Sequence, residues 1–321
     1  MSKFPQFIND LMDETLKEYP EVPTRTLAKR IYNDHKKFFQ DIEQVRGALR
    51  RRRGNNGKAS KMAKHKRANG EPGWTPEIPP SLAHSWVPHV IEGPERIAII
   101  SDIHLPFHSK EVLEQWLEDC YEYEPSIVLI NGDLLDFYRL SRFEKNPNER
   151  DTVYEIDQAH LFFEWLTDRF EADIIFKEGN HDERWRKYLF NHAPEFSRFK
   201  QFELSEILEL DEFGITYITD QRMVIAGDMV ILHGHEMHGS GGQNPAQAFY
   251  RKMRHSGMAG HNHKTSEFLQ RNTMGDWIKC YSTGCMCELS PEFSRINNWN
   301  QGYGFIELHE DGTTTVTNKE L

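Results

Sequence analysis

Five short polar clusters, each closing an apolar run, constrain this chain more than any other feature. They are SDIHLPFH (101–108), NGDLLDF (131–137), EGNHDERW (178–185), LHGH (232–235) and GHNHK (260–264). Four follow directly on a run such as 96–100 or 126–130, and Met258–Ala259 is the weak case. Each supplies Asp, Asn or His, side chains that bind divalent metals through oxygen or imidazole nitrogen. Buried strands that end in polar clusters deliver those side chains to the carboxyl edge of a sheet, where sites in α/β proteins form. Asp102 and His104 lie two residues apart, so an extended backbone points both the same way; His261 and His263 repeat the device. Glycine precedes Asp133, Asn180 and His261, which lets the chain turn sharply there.

Between the clusters the pattern alternates. Strands are expected at 96–101, 126–131 and 173–177, with helices at 111–123 and 156–170 and a largely helical stretch from 184 to 210. That β-α-β-α-β order implies a parallel sheet with helices outside it. From Ile215 the runs shorten: strands are expected at 215–218, 223–225, 229–232, 279–281, 304–308 and 313–317, interrupted by a helix near 245–255 capped at Asn244. Two sheets packed face to face and flanked by helices accommodate this count. The stretch GSGGQNPA (239–246) reads as a phosphate-contacting loop or a flexible turn into that helix.

The four cysteines, Cys120, Cys280, Cys285 and Cys287, do not make a disulfide framework at this length. The last three lack a clear fourth ligand for a thiolate zinc site, so they read as small buried thiols. No apolar run reaches the roughly 20 residues that span a bilayer, and the N-terminus lacks the pattern of a secretory signal. A cytoplasmic setting is expected.

Charge is uneven. Residues 1–75 carry 17 Lys and Arg against 9 Asp and Glu, whereas the whole chain has a net charge of −11. A basic head on an acidic body points to a polyanionic partner such as DNA or RNA. The head reads as three short helices: 4–17 with Phe7, Leu11 and Leu16 on one face, a second to Tyr32 capped by Thr24 or Thr26, and a third over 41–53. Three such helices resemble a helix-turn-helix module. Residues 54–94 read as a linker, basic and then proline-rich, and 95–321 as the catalytic domain after a helical module at 1–53.

Taken together, the clusters resemble the calcineurin-like metallophosphoesterases, whose pattern is D-x-H, G-D-x-x-D, G-N-H-D/E, a later His and G-H-x-H. The match spans about residues 96–308. What the resemblance implies is a four-layer αββα sandwich, preceded here by the small all-α module, with two divalent ions. One ion would sit on Asp102, His104, Asp133 and His263, the other on Asp133, Asn180, His233 and His261. Asp133 would bridge. Mixed N/O donors suit Mn²⁺, with Fe or Zn²⁺ as alternatives. In the family a hydroxide from bridging water attacks phosphorus, and the His of G-N-H-D, here His181, protonates the leaving oxygen. Asp136, the second Asp of GDLLD, matches its orienting partner.

Departures from the pattern narrow the substrate. Phe137–Tyr138 and Asp182 stand where Ser/Thr protein phosphatases carry Arg-Gly and Glu. Arg184 and Arg186 read as a clamp for a second phosphate or as solvated helix surface. TGCMCELSPEF followed by NNWNQGYG also resembles phosphoesterases encoded by phages and their bacterial hosts. The expected function is a two-metal phosphoesterase acting on nucleic acid or nucleotide phosphates. A small-molecule phosphomonoesterase or cyclic-nucleotide phosphodiesterase is the enzymatic alternative. A DNA-binding protein with a vestigial phosphoesterase body is the other, and the complete ligand set argues against it.

Overall fold

A computed structural model describes residues 4–54, 80–142, 151–239, 242–291 and 294–321. The chain divides into two compact units, Met1–Ala83 and His84–Leu321. In the first, α1 (Gln6–Glu18), α2 (Thr24–Asp34) and α3 (Ile42–Arg52) enclose Ile8, Met12, Leu27, Ile31, Val45 and Leu49. The buried face of α1 is Ile8 and Met12, and Phe7 is half exposed, one residue off the expected register. Neither threonine caps α2: Pro23 occupies the cap and Thr24 is the first helical residue. Asp41 caps α3 by accepting from the Gln44 amide at 2.8 Å.

The second unit holds twelve strands and five helices among the described residues. In chain order they are β1 (His89–Ile91), β2 (Glu95–Ile100), α4 (Lys110–Tyr123), β3 (Ile127–Asn131), α5 (Thr152–Thr167), β4 (Asp173–Lys177), α6 (Glu183–His192), α7 (Leu204–Ile207) and β5 (Thr216–Ile218). Then come β6 (Val224–Ala226), β7 (Met229–Leu232), α8 (Pro245–Met253), β8 (Gly257–Ala259), β9 (Ser266–Arg271), β10 (Trp277–Ser282), β11 (Gly302–Leu308) and β12 (Thr314–Glu320). One sheet runs β12-β11-β2-β3-β4-β5, with β2 to β5 parallel; the other runs β1-β6-β7-β8-β10-β9.

Strand alternation decides which layer each side chain joins. On β2, Ile97 and Ile99 pack with Val224, Ile231 and Met258 between the sheets. Ala98 and Ile100 face the other way, against Trp116 of α4 and Phe163 of α5. Behind the second sheet, Val230 and Leu232 pack on Ala246 and Phe249 of α8. The result is four layers, helices on sheet on sheet on helix. Trp116 and Phe163 are fully buried, each contributing roughly 1.5–3 kcal/mol of transfer free energy.

Several elements differ from expectation. β1 lies inside the proline-rich segment and pairs parallel with β6. β8 has only three residues, too few for a periodic signal, and β9 is an edge strand whose side chains are mostly exposed. The stretch 184–210 is helical only at α6 and α7, with two single turns of 3₁₀ helix between. The basic linker residues 55–79, and Ser240 and Gly241 of the glycine-rich loop, lie outside the described residues. No described helix is long and apolar enough to cross a membrane.

Candidate metal centre

The carboxyl ends of β2, β3, β4, β7 and β8 converge, and with them the five clusters. Asp102, His104 and His263 bring one donor atom each within 4.8 Å of the others, and so do Asp133, His233 and His261. His263 Nε2 lies 3.2 Å from Asp102 Oδ1 and 3.2 Å from His104 Nε2. Asp133 Oδ2 stands 3.2 Å from His233 Nε2 and 3.8 Å from His104 Nε2, so this carboxylate faces both groups. Asn180 follows β4 with its Oδ1 buried and without a hydrogen-bond partner.

Extended geometry is not what gathers them. Asp102, His104, Asp133, His261 and His263 all have φ between 52° and 67°. Left-handed backbone is unfavourable for side-chain-bearing residues, and its concentration here marks a site where surrounding structure holds the chain against its preference. Main-chain bonds do that holding: the Asp102 amide donates to Gly132 O at 3.1 Å and the His104 amide to Asp133 O at 3.0 Å. Gly132 has φ +88°, and a Cβ there would overlap the His233 ring. A Cβ at Gly179 would overlap the Asp133 backbone nitrogen.

Two observations test whether these residues fit divalent cations. Asn180 Oδ1 is buried without a hydrogen-bond partner, and Asp102 Oδ1 and His233 Nε2, also buried, face other candidate ligand atoms of the cluster, an arrangement expensive for a protein unless another group meets those atoms. Burial alone would push the imidazoles down, yet the facing carboxylates outweigh it, and His233 and His263 are each pushed up to about 10. Two carboxylates, Asp102 and Asp133, buried side by side among these imidazoles give the pocket the charge demand of a cation site. The donor set of carboxylate, amide oxygen and imidazole fits first-row divalent ions.

The remaining donors are oriented from behind. His233 Nδ1 meets Asn131 O at 2.7 Å, and Asp102 Oδ2 accepts from Ser101 Oγ at 2.6 Å and from the His261 amide at 2.8 Å. Asp136 serves two imidazoles: its Oδ1 is 3.1 Å from His181 Nδ1 and 3.0 Å from His104 Nδ1. His181 Nε2 lies 4.0 Å from Asp133 Oδ2 and 2.9 Å from Arg184 Nη2. Since guanidinium only donates, the imidazole in this geometry carries its proton on Nδ1, toward Asp136. Its pKa is raised, because Asp133 and Asp136 outweigh the opposing effect of burial.

Sequence reasoning missed several contributors. Asp182 accepts from the amides of Asp133 and Gly179 at 2.8 Å and of Leu135 at 3.1 Å, tying the β3 and β4 loops together. Lys177, fully buried at the end of β4, reaches Glu236 at 2.7 Å, and Glu236 accepts from the His233 and Gly234 amides. Arg184 also donates to Asp136 O at 2.7 Å, which makes it part of the cluster. Arg186 points elsewhere, bonded to Glu178 and Asp220, so the two arginines do not form one clamp. His235 stays outside both groups, its ring 5.4 Å from that of His233, and His108 lies in neither. All four cysteines are buried and free; Cys285 and Cys287 bring their sulfurs beside His263. A lone buried Lys in FKEGN, where charge has no business in a strand end, was the one available signal for the Lys177 pair.

In the first unit, Arg52 pairs with Asp13 at 2.9 Å, and Arg53 donates to Tyr19, Pro20 and Val22 carbonyls and to Thr24. These two basic residues at the end of α3 therefore serve the helical unit itself.

Comparison with known proteins gives the following. The family model for calcineurin-like phosphoesterases matches residues 95–281. The Gene 54 protein of Mycobacterium phage D29 is 29% identical over 178 residues, 53% of this chain and 69% of that protein. The Gene 54 protein of Mycobacterium phage L5 is 27% identical over 189 residues, 56% of this chain and 73% of that protein. Among solved structures, a dimetal phosphatase from Danio rerio is 11% identical with a TM-score of 0.38, covering 71% of this chain and 96% of its own.

Proposed function

The chain belongs to the calcineurin-like phosphoesterase family and is a metal-dependent phosphoric ester hydrolase, and from that premise we propose that it acts on nucleic-acid or nucleotide phosphates at a two-metal centre. The observation that carries the two-metal reading is Asp133, whose Oδ2 faces His233 on one side and His104 on the other. One ion would be held by Asp102, His104, Asp133 and His263, the second by Asp133, Asn180, His233 and His261. Mn²⁺ suits these donors best, and Fe and Zn²⁺ suit them as well. When bound, such ions supply Lewis acidity that acidifies water and offsets charge on phosphoryl oxygens.

The chain's own residues then handle the proton and the leaving group. With its pKa raised, His181 takes a proton from solvent on Nε2 once that nitrogen is released, and the imidazolium then gives this proton to the leaving oxygen and returns to the Nδ1-protonated form, while Asp136 fixes the ring through Nδ1. Arg184 must first release Nε2, and an incoming phosphoryl oxygen competes well for its guanidinium. Asp136 also fixes His104, so the acid and one metal ligand share an anchor.

Support for a nucleic-acid or nucleotide substrate comes from the basic head, residues 1–75, on an otherwise acidic chain. The domain reading that goes with it is a helical module at 1–53, a tether at 54–94 and a catalytic domain at 95–321. A small-molecule phosphomonoesterase is the second reading, favoured by the modest size of the cleft over the centre, about 160 Å³. The deciding experiment is a turnover panel with Mn²⁺: aryl mono- and diesters, single- and double-stranded DNA, RNA and cyclic nucleotides. Asp133→Asn should abolish turnover of every ester that the wild type cleaves; retained activity sinks the bridging role. Removing residues 1–73 should weaken nucleic-acid binding and flatten its salt dependence. An unchanged salt slope would dismiss the head as a substrate arm.

A further inference from the structure

The cleft over the metal-ligand cluster carries information about the ester it accepts. Its floor is made by the ligand imidazoles, Asp133 and His181, and its walls by Phe107, Glu288, Pro291 and Trp299. At about 160 Å³ it is small beside typical ligand pockets of about 300–1,000 Å³. A phosphoryl group with one ring beside it can occupy such a space.

Both aromatic walls are fastened to the metal-ligand loops by main chain. The Phe107 amide donates to His104 O at 2.6 Å, and Phe107 O accepts from the Glu288 amide at 2.9 Å. The Trp299 amide donates to Asn297 Oδ1 at 3.0 Å, and Asn297 is itself pinned to Leu289 O at 2.6 Å and Ser294 O at 2.7 Å. The next residue, Asn300, donates its amide to His263 O at 2.9 Å. The Trp299 ring centroid lies 4.2 Å from that of His263, edge to face. A half-buried indole is thus held against one imidazole of the candidate metal centre. Rigid aromatic surfaces lose little entropy on stacking and accept planar partners of any base identity.

Charge narrows the class further. Among the described residues that line the cleft there is no lysine or arginine, and Glu288 adds a carboxylate. A second phosphate placed beside Glu288 would meet a carboxylate, whereas a sugar hydroxyl or exocyclic amine there would find an acceptor.

We propose that Trp299 is a specificity-determining residue, giving the site a preference for phosphoesters whose alcohol carries a planar ring next to a single phosphoryl group, as in a nucleoside monophosphate or a strand-terminal nucleotide. This rests on the phosphoesterase reading above and names the substrate class of the same site. The test compares wild type, Trp299→Ala and Trp299→Phe with Mn²⁺ on p-nitrophenyl phosphate, a nucleoside 5′-monophosphate and glycerol phosphate. The readout is the ratio of kcat/KM on each ring-bearing ester to that on glycerol phosphate. Stacking of this kind corresponds to a fall of about 5- to 150-fold in that ratio for Trp299→Ala, carried by KM, with Trp299→Phe keeping most of it. If Trp299→Ala does not fold, Trp299→Leu against Trp299→Phe makes the same comparison. An unchanged ratio overturns the proposal, because the indole then only braces His263. Wild type that cleaves none of the three monoesters but does cleave an aryl diester or nucleic acid overturns the preference proposed here and leaves the phosphoesterase reading standing, whereas no turnover of any of these esters overturns that reading, so the two failures are distinguishable.

Discussion

Replacing Lys177 by Met should be strongly destabilising although the residue lies outside the proposed ligand set. The ammonium is fully buried, 2.7 Å from Glu236 Oε1, and the Glu236 side chain is only 9% exposed. After the change that carboxylate keeps two main-chain donors, the His233 amide at 3.2 Å and the Gly234 amide at 2.7 Å, and loses the Lys177 ammonium. Breaking one side of a buried ion pair costs about 3–5 kcal/mol, since the partner charge stays desolvated; an exposed pair would cost about 0–1 kcal/mol. The two amides soften the loss, which puts the expectation near the lower bound, about 3 kcal/mol. Lys177→Met with Glu236→Gln should recover most of it, giving a coupling of about 2–3 kcal/mol. Urea unfolding of the full chain followed by tryptophan fluorescence is the assay, with chelator present so that metal binding adds nothing. All seven tryptophans lie after α3, at residue 74 or beyond, and six of them fall in the second unit, so the signal reports mainly that unit. Mn²⁺ calorimetry is the second readout. The pair spans the loops that carry Asn180 and His233, so affinity should fall about 10- to 100-fold, as for other outer supports of metal ligands. A single-mutant cost below about 1 kcal/mol, with no recovery in the double mutant, would refute the argument.

Three further outcomes are expected. His181→Ala should slow alkyl esters, with their poor leaving groups, more than activated aryl esters; equal losses in kcat would remove the general-acid role. Gly179→Ala should abolish Mn²⁺ binding, because its Cβ overlaps the Asp133 nitrogen and carboxylate, and tight binding by that variant would show the loop can yield. Glu155 is buried, and burial followed by the nearby Asp136 carboxylate pushes it up to about 8. The folded state therefore holds this proton more tightly than the unfolded chain does. Its stabilisation is full below about pH 4.5 and is lost as pH rises through about 8, a few kcal/mol at most. Glu155→Gln should flatten that part of the stability–pH curve, and a curve unchanged from wild type would exclude Glu155 as its source.

What the sequence determined by itself was whatever is written within a few residues. Apolar runs of three or four residues mark β2, β3 and β4, and the polar cluster closing each one names its candidate ligands in place. The alternation with α4 and α5 implies the parallel sheet, and Asn244 before Pro245 marks the start of α8. Local signals failed where the element was too short or too exposed, as at β8 and β9. They also misread backbone: Asp102 and His104 converge through left-handed turns held by main-chain bonds from the β3 loop, which extended geometry at 101–104 does not foreshadow. Only the tertiary structure decided the pairings between distant segments. Asp182 ties loops 49 residues apart, Lys177 meets Glu236, Arg184 meets His181 and Asp136, and Arg53 turns back on Tyr19 and Val22. Trp299 comes to lie against His263 in the same way. The physical reason is that a ligand's identity is a property of one side chain, whereas its orientation and charge come from neighbours the fold supplies. The five clusters therefore name the reaction, and the residues folded around them set the orientation and charge of its side chains.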